Sequence, residues 1–175
     1  MPSAVNQKLD HLFRHEYGKL VSMFTNRYSP HLIDTIEDAV QEALFKAAKQ
    51  WSFQPMPDNP SAWLYRVVNN QLIDYLRKEN RSVSYEQTVT IDPIAEEKNE
   101  LPEEKVIVDD QLRMIFACCH PAMKPTEQLM LSLKLLCGLS VKEIARAFLK
   151  QEEAAKRAIT RAKVKFREEV GELKV

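Results

Sequence analysis

Apolar residues recur at helical spacing along most of the chain. Leu9, Leu12, Phe13, Leu20 and Phe24 mark a first amphipathic helix over residues 3–27, which Ser29 and Pro30 break. Ile33, Ile36, Val40, Leu44, Ala47 and Trp51 share one side of a second helix over 31–51. A third is expected over 60–81. Asp58 and Asn59 can cap its free N–H groups, and Pro60 suits the first helical position because its missing N–H has no partner there anyway. Its core stripe is Leu64, Val68, Leu72, Tyr75 and Leu76.

The C-terminal part continues the pattern. An apolar-rich helix is expected over 106–119, and a second carries Leu129, Leu133 and Leu136 until Gly138 ends it in a left-handed conformation. Ser140 and Glu143 have the spacing of a capping box, and Leu139 with Ile144 that of a hydrophobic staple, so a helix starts at Val141. Ala145 is small where two helices would cross. After a turn near Leu149 to Gln151, the last helix buries Ala155, Ile159, Ala162 and Phe166.

Composition agrees with an all-α chain, since there are only three Gly, and 45% hydrophobic content is ordinary for a globular protein. The expected organisation is two small helical domains, 1–84 and 106–175, joined by a flexible acidic linker over 85–105. Between Glu86 and Asp110 nine carboxylates stand against Lys98 and Lys105. No apolar run is long enough to cross a membrane, and the N-terminus lacks a secretory pattern. Three cysteines, two of them adjacent, form no disulfide framework. A cytoplasmic protein without membrane insertion is expected.

Formal net charge is zero, so the distribution of charge matters more than its total. On the third helix, Trp63, Arg66, Asn70 and Arg77 cluster opposite the core stripe, followed by Lys78 and Arg81. That face suits unpaired nucleic acid, where bases stack on aromatic rings and cations meet phosphates; alternatively, Trp63 packs on a neighbouring helix and the cations are solvated. The second helix presents Asp34, Asp38, Gln41, Glu42 and Phe45 away from its core side, either as a docking surface or as an ordinary polar face. Three prolines stiffen residues 52–60 into an exposed loop. In the last helix six cations, Lys156, Arg157, Arg161, Lys163, Lys165 and Arg167, occur with no acid among them. Helix, tight turn and basic helix together have the layout of a helix-turn-helix, whose second helix enters the major groove; a generic helical hairpin is the alternative.

Cys118, Cys119 and His120 invite a metal-site or thiol reading. Adjacent cysteines do not match metal-ligand spacing and no second ligand pair lies nearby, so buried helix-end cysteines are expected instead. No metal, no cofactor and no catalytic residue is expected.

The runs IEDAVQEALFKAAKQW and WLYRVVNNQLIDYLRKENR, followed by GLSVKEIARAFLK and EEAAKRAITRAKVKF, resemble bacterial sigma factors of the sigma-70 family, in particular the extracytoplasmic-function type. The resemblance covers nearly the whole chain in two blocks. It implies a factor that binds RNA polymerase core, through the β′ clamp with the β subunit as a further contact, and directs it to promoters. Asp38, Gln41, Glu42 and Phe45 are then the polymerase-binding residues. Phe53, Trp63, Arg66, Asn70, Arg77 and Lys78 would meet the melted minus-ten element, with the loop before the helix capturing a flipped base. Glu153, Lys156, Arg157, Thr160, Arg161, Lys163 and Arg167 would meet the minus-thirty-five duplex. The linker would run through the polymerase. The turn departs from the family pattern, carrying Leu149 and Gln151 where Gly and often Pro are usual, so a slightly different turn geometry is expected. The Cys-Cys-His-Pro element is similar to a subgroup that often continues into a helical-repeat extension. Here the sequence stops at Val175, as a truncated or a naturally short member. An anti-sigma factor or such an extension is the regulatory partner implied. A free-standing helix-turn-helix regulator is the alternative function.

Overall fold

The computed structural model describes residues 4–82 and 99–170, and the described residues are helical with no strand among them. Most of the expected linker, residues 85–98, lies outside them. The helices are α1 (Ala4–Arg27), α2 (Ile33–Trp51) preceded by a 3-10 turn (Pro30–Leu32), α3 (Pro60–Ser82), α4 (Glu104–Cys118), α5 (Pro125–Leu135), α6 (Val141–Ala147) and α7 (Glu152–Glu169). Glu104, Asp109 and Asp110, read from sequence as part of an acidic stretch of little periodicity, belong to α4, whose Ile107 and Met114 are buried.

The helix starts follow local chemistry. The Ser29 hydroxyl accepts the His31 N–H at 3.1 Å ahead of α2, and the Asn59 side-chain carbonyl accepts the Ala62 N–H at 3.0 Å at the start of α3. At α6 the capping box is complete: the Ser140 hydroxyl accepts the Glu143 N–H and the Glu143 carboxylate accepts the Ser140 N–H at 2.9 Å. Gly138 has φ +65, the left-handed backbone that its lack of a Cβ allows.

Contacts divide the chain into two compact units, 1–37 with 103–175 and 38–102, so the boundary falls inside α2 between Glu37 and Asp38. In the first unit α1 packs along α4 and α5 with Tyr17, Leu20, Val21 and Phe24 buried. The approach to α5 is close: a Cβ on Gly18 would stand 2.0 Å from the Leu136 carbonyl oxygen. Met130, Ile144, Ala158 and Ile159 form the helix-turn-helix core, joined by the staple residue Leu139 and by Phe148. The expected stripe of α7 is buried in full, as is Ala145.

The turn between α6 and α7 corrects the expectation of altered geometry. Leu149 adopts φ +51, the Lys150 N–H donates to the Ala145 carbonyl at 2.9 Å, and the Leu149 N–H donates to Arg146 at 3.2 Å. Those bonds are the Schellman pattern that glycine usually serves, here formed by a leucine. The departure lies in the side chain and not in the path of the backbone.

In the second unit α3 buries Leu64, Val68 and Leu72 as expected, and also Tyr65, Asn69 and Ile73. Tyr75, assigned to the core stripe by spacing, is instead exposed and donates its hydroxyl to Glu79 at 3.0 Å. Its phenol keeps a polar partner at the helix surface, and Ile73 takes the buried place.

Candidate functional site

Along α2, Asp38, Gln41, Glu42 and Phe45 are all exposed at i, i+3, i+4 and i+7, which puts them on one stripe. Phe45 is 71% exposed beside carboxylates, and Glu42 pairs with its helical neighbour Lys46 at 3.1 Å. An aromatic ring that gains by leaving water, set among acids, is a surface suited to a partner with cations around an apolar patch.

On α3 the second candidate face is divided. Arg66, Asn70, Arg77 and Lys78 are exposed, whereas Trp63 is half-buried and packs on Trp51 with ring centroids 5.4 Å apart. The packing alternative therefore holds for Trp63 in part: one side of the indole is fixed by Trp51. The Asn70 side chain accepts from Asn99 at 3.3 Å, and Asn99 also accepts from Asn69. Phe53 is 87% exposed at the end of the loop entrance, not tucked beneath the loop.

Between α2 and α3 runs an open groove of about 610 Å³ lined by Phe53, Trp63, Asn70, Gln71, Lys46 and Lys49, among others. Two aromatic rings, two ammonium groups and four amides, with the Asp74 carboxylate at one side, surround this groove, and the rings, cations and amides match what a single-stranded nucleotide offers: a base face, a phosphate and hydrogen-bonding edges. Lys46, Lys49 and Gln71 had not been singled out from sequence, because the groove is made by two helices and periodicity describes one at a time. Neither amide atom of Gln71 has a hydrogen-bond partner among the described residues.

The basic face of α7 is also divided. Glu153, Lys156, Arg157 and Thr160 are exposed, and the Thr160 hydroxyl is turned back onto the Lys156 carbonyl at 2.9 Å. Arg157 and Arg161 join Lys124, Thr126 and Lys150 around a cavity of about 370 Å³. The cations further along are held by acids. Lys165 donates to Glu127 at 2.9 Å, with Arg161 at 3.6 Å from the same carboxylate. These partners, Lys165 first, hold the Glu127 carboxyl below its ordinary range despite its burial. Lys163 donates to Asp34 at 3.0 Å and to Glu37, and Arg167 donates to Asp34. Burial alone would lower the Lys163 ammonium, but Glu37 and Asp34 more than offset this and raise it. Lys163 and Arg167, expected at DNA phosphates, thus meet carboxylates from the first turns of α2. Sequence reading missed these carboxylate partners because the pairs span more than a hundred residues.

The cysteine element divides. Cys118 is buried as expected, and burial, aided by Cys119, pushes its thiol up to about 12; Cys119, also expected to be buried, is instead exposed, because it follows the last turn of α4 on the solvent side. The Gln128 side-chain amide donates to the carbonyls of Cys119, His120 and Met123, tying the turn between α4 and α5. Among the described residues no group of three or more His, Cys, Asp or Glu is placed to hold a metal ion.

Comparison with known proteins matches two family models to the two regions just described. Sigma-70 region 2 matches residues 12–82, and Sigma-70, region 4, matches residues 113–166. The chain belongs to the sigma-70 family, with the extracytoplasmic-function type of region 4. An uncharacterized protein of Rhizobium meliloti is 36% identical over 151 residues, which is 85% of this chain and 34% of that protein. A probable RNA polymerase sigma factor of Haemophilus influenzae is 27% identical over 126 residues, 65% of each chain. The chain thus spans about a third of the length of the first relative and 65% of the second. Region 2 carries the α2 stripe and the α3 groove, and region 4 carries the helix-turn-helix. A free-standing regulator, which would use region 4 alone, is not favoured. The first compact unit draws on both regions, since α1 and the start of α2 come from region 2. No helix among the described residues is long and apolar enough to cross a membrane.

Proposed function

We propose that the protein is a sigma factor that brings RNA polymerase core to promoters and assists melting of the minus-ten element. The observation that carries this reading is the α3 groove, where an exposed Phe53 and a braced Trp63 stand beside Asn70, Lys46 and Lys49, with Arg66 exposed on the same helix. Extruding a base from a duplex costs a few kcal/mol, and stacking on an aromatic surface returns about 1–3 kcal/mol per base. Trp51 behind Trp63 keeps the indole oriented before the base arrives, so less ordering is needed on binding. Arg66, Arg77 and Lys78 then hold the backbone of the melted strand.

Asp38, Gln41, Glu42 and Phe45 dock on the polymerase core, with the clamp of the β′ subunit as the partner and the β subunit as a further contact. The N-terminal half of α7 enters the major groove of the minus-thirty-five element, Glu153, Lys156, Arg157 and Thr160 facing bases and Arg161, Lys163 and Arg167 facing phosphates. The work is binding and strand separation, without a covalent step. An anti-sigma factor or a C-terminal extension is the regulatory partner, and the Cys-Cys-His-Pro turn marks the subgroup that carries such extensions. Run-off transcription with core polymerase on a fragmented genomic library tests the proposal. Specific transcripts that fade in the Arg66→Ala, Asn70→Ala double variant support it, and a polymerase that neither binds the protein nor gains start sites overturns it.

A further inference from the structure

Along α3, Val67, Asn70, Gln71 and Asp74 follow Trp63 at i+4, i+7, i+8 and i+11, and these residues make the α3 wall of the groove. Most of the amides around the groove have partners. Asn70 accepts from Asn99 at 3.3 Å, and on the α2 side Gln50 donates to Gln54 at 3.1 Å. Gln71 differs: its amide nitrogen and oxygen are both buried, and neither has a hydrogen-bond partner among the described residues. An amide taken out of water without a partner destabilises the fold, so native proteins keep few of them and each calls for a reason. A partner that arrives on binding supplies one. Two methylene groups link the amide to the helix, and rotation about their torsions carries it from beneath the wall to the groove surface. Pairing there recovers a penalty that the free protein already bears, whereas an exposed amide would first have to give up water.

We propose that Gln71 and Asp74 select the base that enters this groove, and that they admit a base carrying an exocyclic amino group and reject thymine. The inference rests on the function proposed above and adds a selectivity to the same groove. A glutamine amide offers one donor and one acceptor in a plane, which suits bidentate pairing with a base edge. By itself it does not choose, because either end of the amide can be turned to the base. Asp74 makes the choice. It lies three residues further along the same wall, its side chain is 68% exposed, and Arg77 stands 3.9 Å away. An ionised carboxylate only accepts, so it draws an amino group and repels carbonyl oxygens. Adenine and cytosine present an amino group next to an accepting ring nitrogen. Guanine presents an amino group next to a ring N–H, and its carbonyl then falls to the Gln71 N–H. Thymine has no amino group and flanks its N–H with two carbonyls. Trp63 and Phe53 supply the stacking surface for any base, which leaves discrimination to the polar pair.

The test uses holoenzyme assembled from core RNA polymerase and the full chain. It is mixed with a duplex bearing a short randomised single-stranded overhang, and the retained strands are sequenced. At one overhang position thymine is expected to be depleted about tenfold against the three amino-bearing bases, the scale of one bidentate pair. Gln71→Met keeps the length of the side chain and removes the amide, so it should shrink the depletion to within about twofold. Asp74→Asn should readmit thymine at the same position, since its amide can turn an N–H towards a carbonyl oxygen. If Gln71→Met fails to fold, Asp74→Asn decides alone, because that side chain is largely exposed. The same overhang preference in parent and folded variants, or enrichment of thymine at the position that the variants alter, overturns the assignment and leaves the sigma-factor reading standing. Core polymerase that does not bind the chain at all overturns both.

Discussion

The two faces proposed to meet DNA differ in how their charge is disposed. On α3, Arg66 and Lys78 stand exposed on the helix that carries Trp63, and Asp74 lies 3.9 Å from Arg77 on the same helix. On α7 the first cations, Lys156 and Arg157, are exposed, while Lys163, Lys165 and Arg167 are held by Asp34, Glu37 and Glu127. A run of six cations in sequence is therefore not six equal cations in the fold. Zero net charge has a structural meaning here: acids from other helices sit on particular bases. The first face is ready for a ligand, and the second spends part of its charge inside the fold.

The largest expected effect comes from forcing α1 away from α5, whose Glu127 holds Lys165 and lies near Arg161 on the second face. Gly18→Ala places a methyl group 2.0 Å from the Leu136 carbonyl oxygen, a contact that real structures do not tolerate. Backbone lies on both sides, so α1 and α5 must separate. We expect a loss of about 3 kcal/mol in denaturant unfolding, after the helix-propensity gain of alanine, about 1 kcal/mol, is absorbed. A neutral variant would mean that α1 and α5 do not close on each other in solution, and the contrast between the faces would disappear. Next in size is Trp63→Ala on the open face. It should weaken binding of the single-stranded minus-ten element to the reconstituted polymerase by about 2 kcal/mol, the scale of one lost base stack. Trp63→Phe separates the roles, because it keeps a ring against Trp51 and should recover most of the loss.

Much of this arrangement was legible beforehand, for reasons that are local. Periodicity located each helix because burial of one stripe repeats every turn, and the Ser140–Glu143 box announced α6 because both partners lie three residues apart. Asp38, Gln41, Glu42 and Phe45 emerged as one exposed stripe for the same reason. Tyr75 was misjudged because an aromatic ring at core spacing can stay at the surface when its hydroxyl finds Glu79. The ion pairs of Lys163 and Arg167 were illegible, since nothing local to α7 reveals that Asp34 and Glu37 will arrive there. The groove between α2 and α3 was half legible: its α3 side was read, while Lys46 and Lys49 awaited the crossing of two helices.

The contact of α1 with α4 offers a pH test of the packing behind the second face. Burial raises the Asp110 carboxyl from its ordinary 3.8 to about 6, against the opposing pull of Arg113 and the hydrogen bond from Asn26. The folded state therefore holds this proton more firmly than the unfolded chain does. Its contribution favours folding below the unfolded value, declines as pH rises through that window, and is lost above about 6. Asp110→Asn keeps an acceptor for Asn26 without the buried charge. It should be more stable than the parent by about 1–2 kcal/mol at neutral pH, with the advantage vanishing near pH 4. A pH-independent difference would assign the effect to packing and remove the carboxyl from the account of that contact.

The smallest effect sharpens the comparison within the helix-turn-helix itself. Leu149 holds φ +51 with its side chain 95% exposed, so the residue carries left-handed strain without buried contacts to compensate it. A side chain in that region costs roughly 1–2 kcal/mol, and glycine, which escapes this cost, gives back roughly 0.5–1 kcal/mol through the greater freedom of the unfolded chain. Leu149→Gly should accordingly stabilise the protein by up to about 1 kcal/mol, seen as a small rise in thermal midpoint. The bonds from Lys150 to Ala145 and from Leu149 to Arg146 should persist, so duplex affinity of the free protein should be unchanged. That outcome would leave the difference between the two faces in the ion pairs of α7 and not in the turn before it. A gain in affinity from the turn alone would shift that difference from paired charge to a strained presentation of the recognition helix.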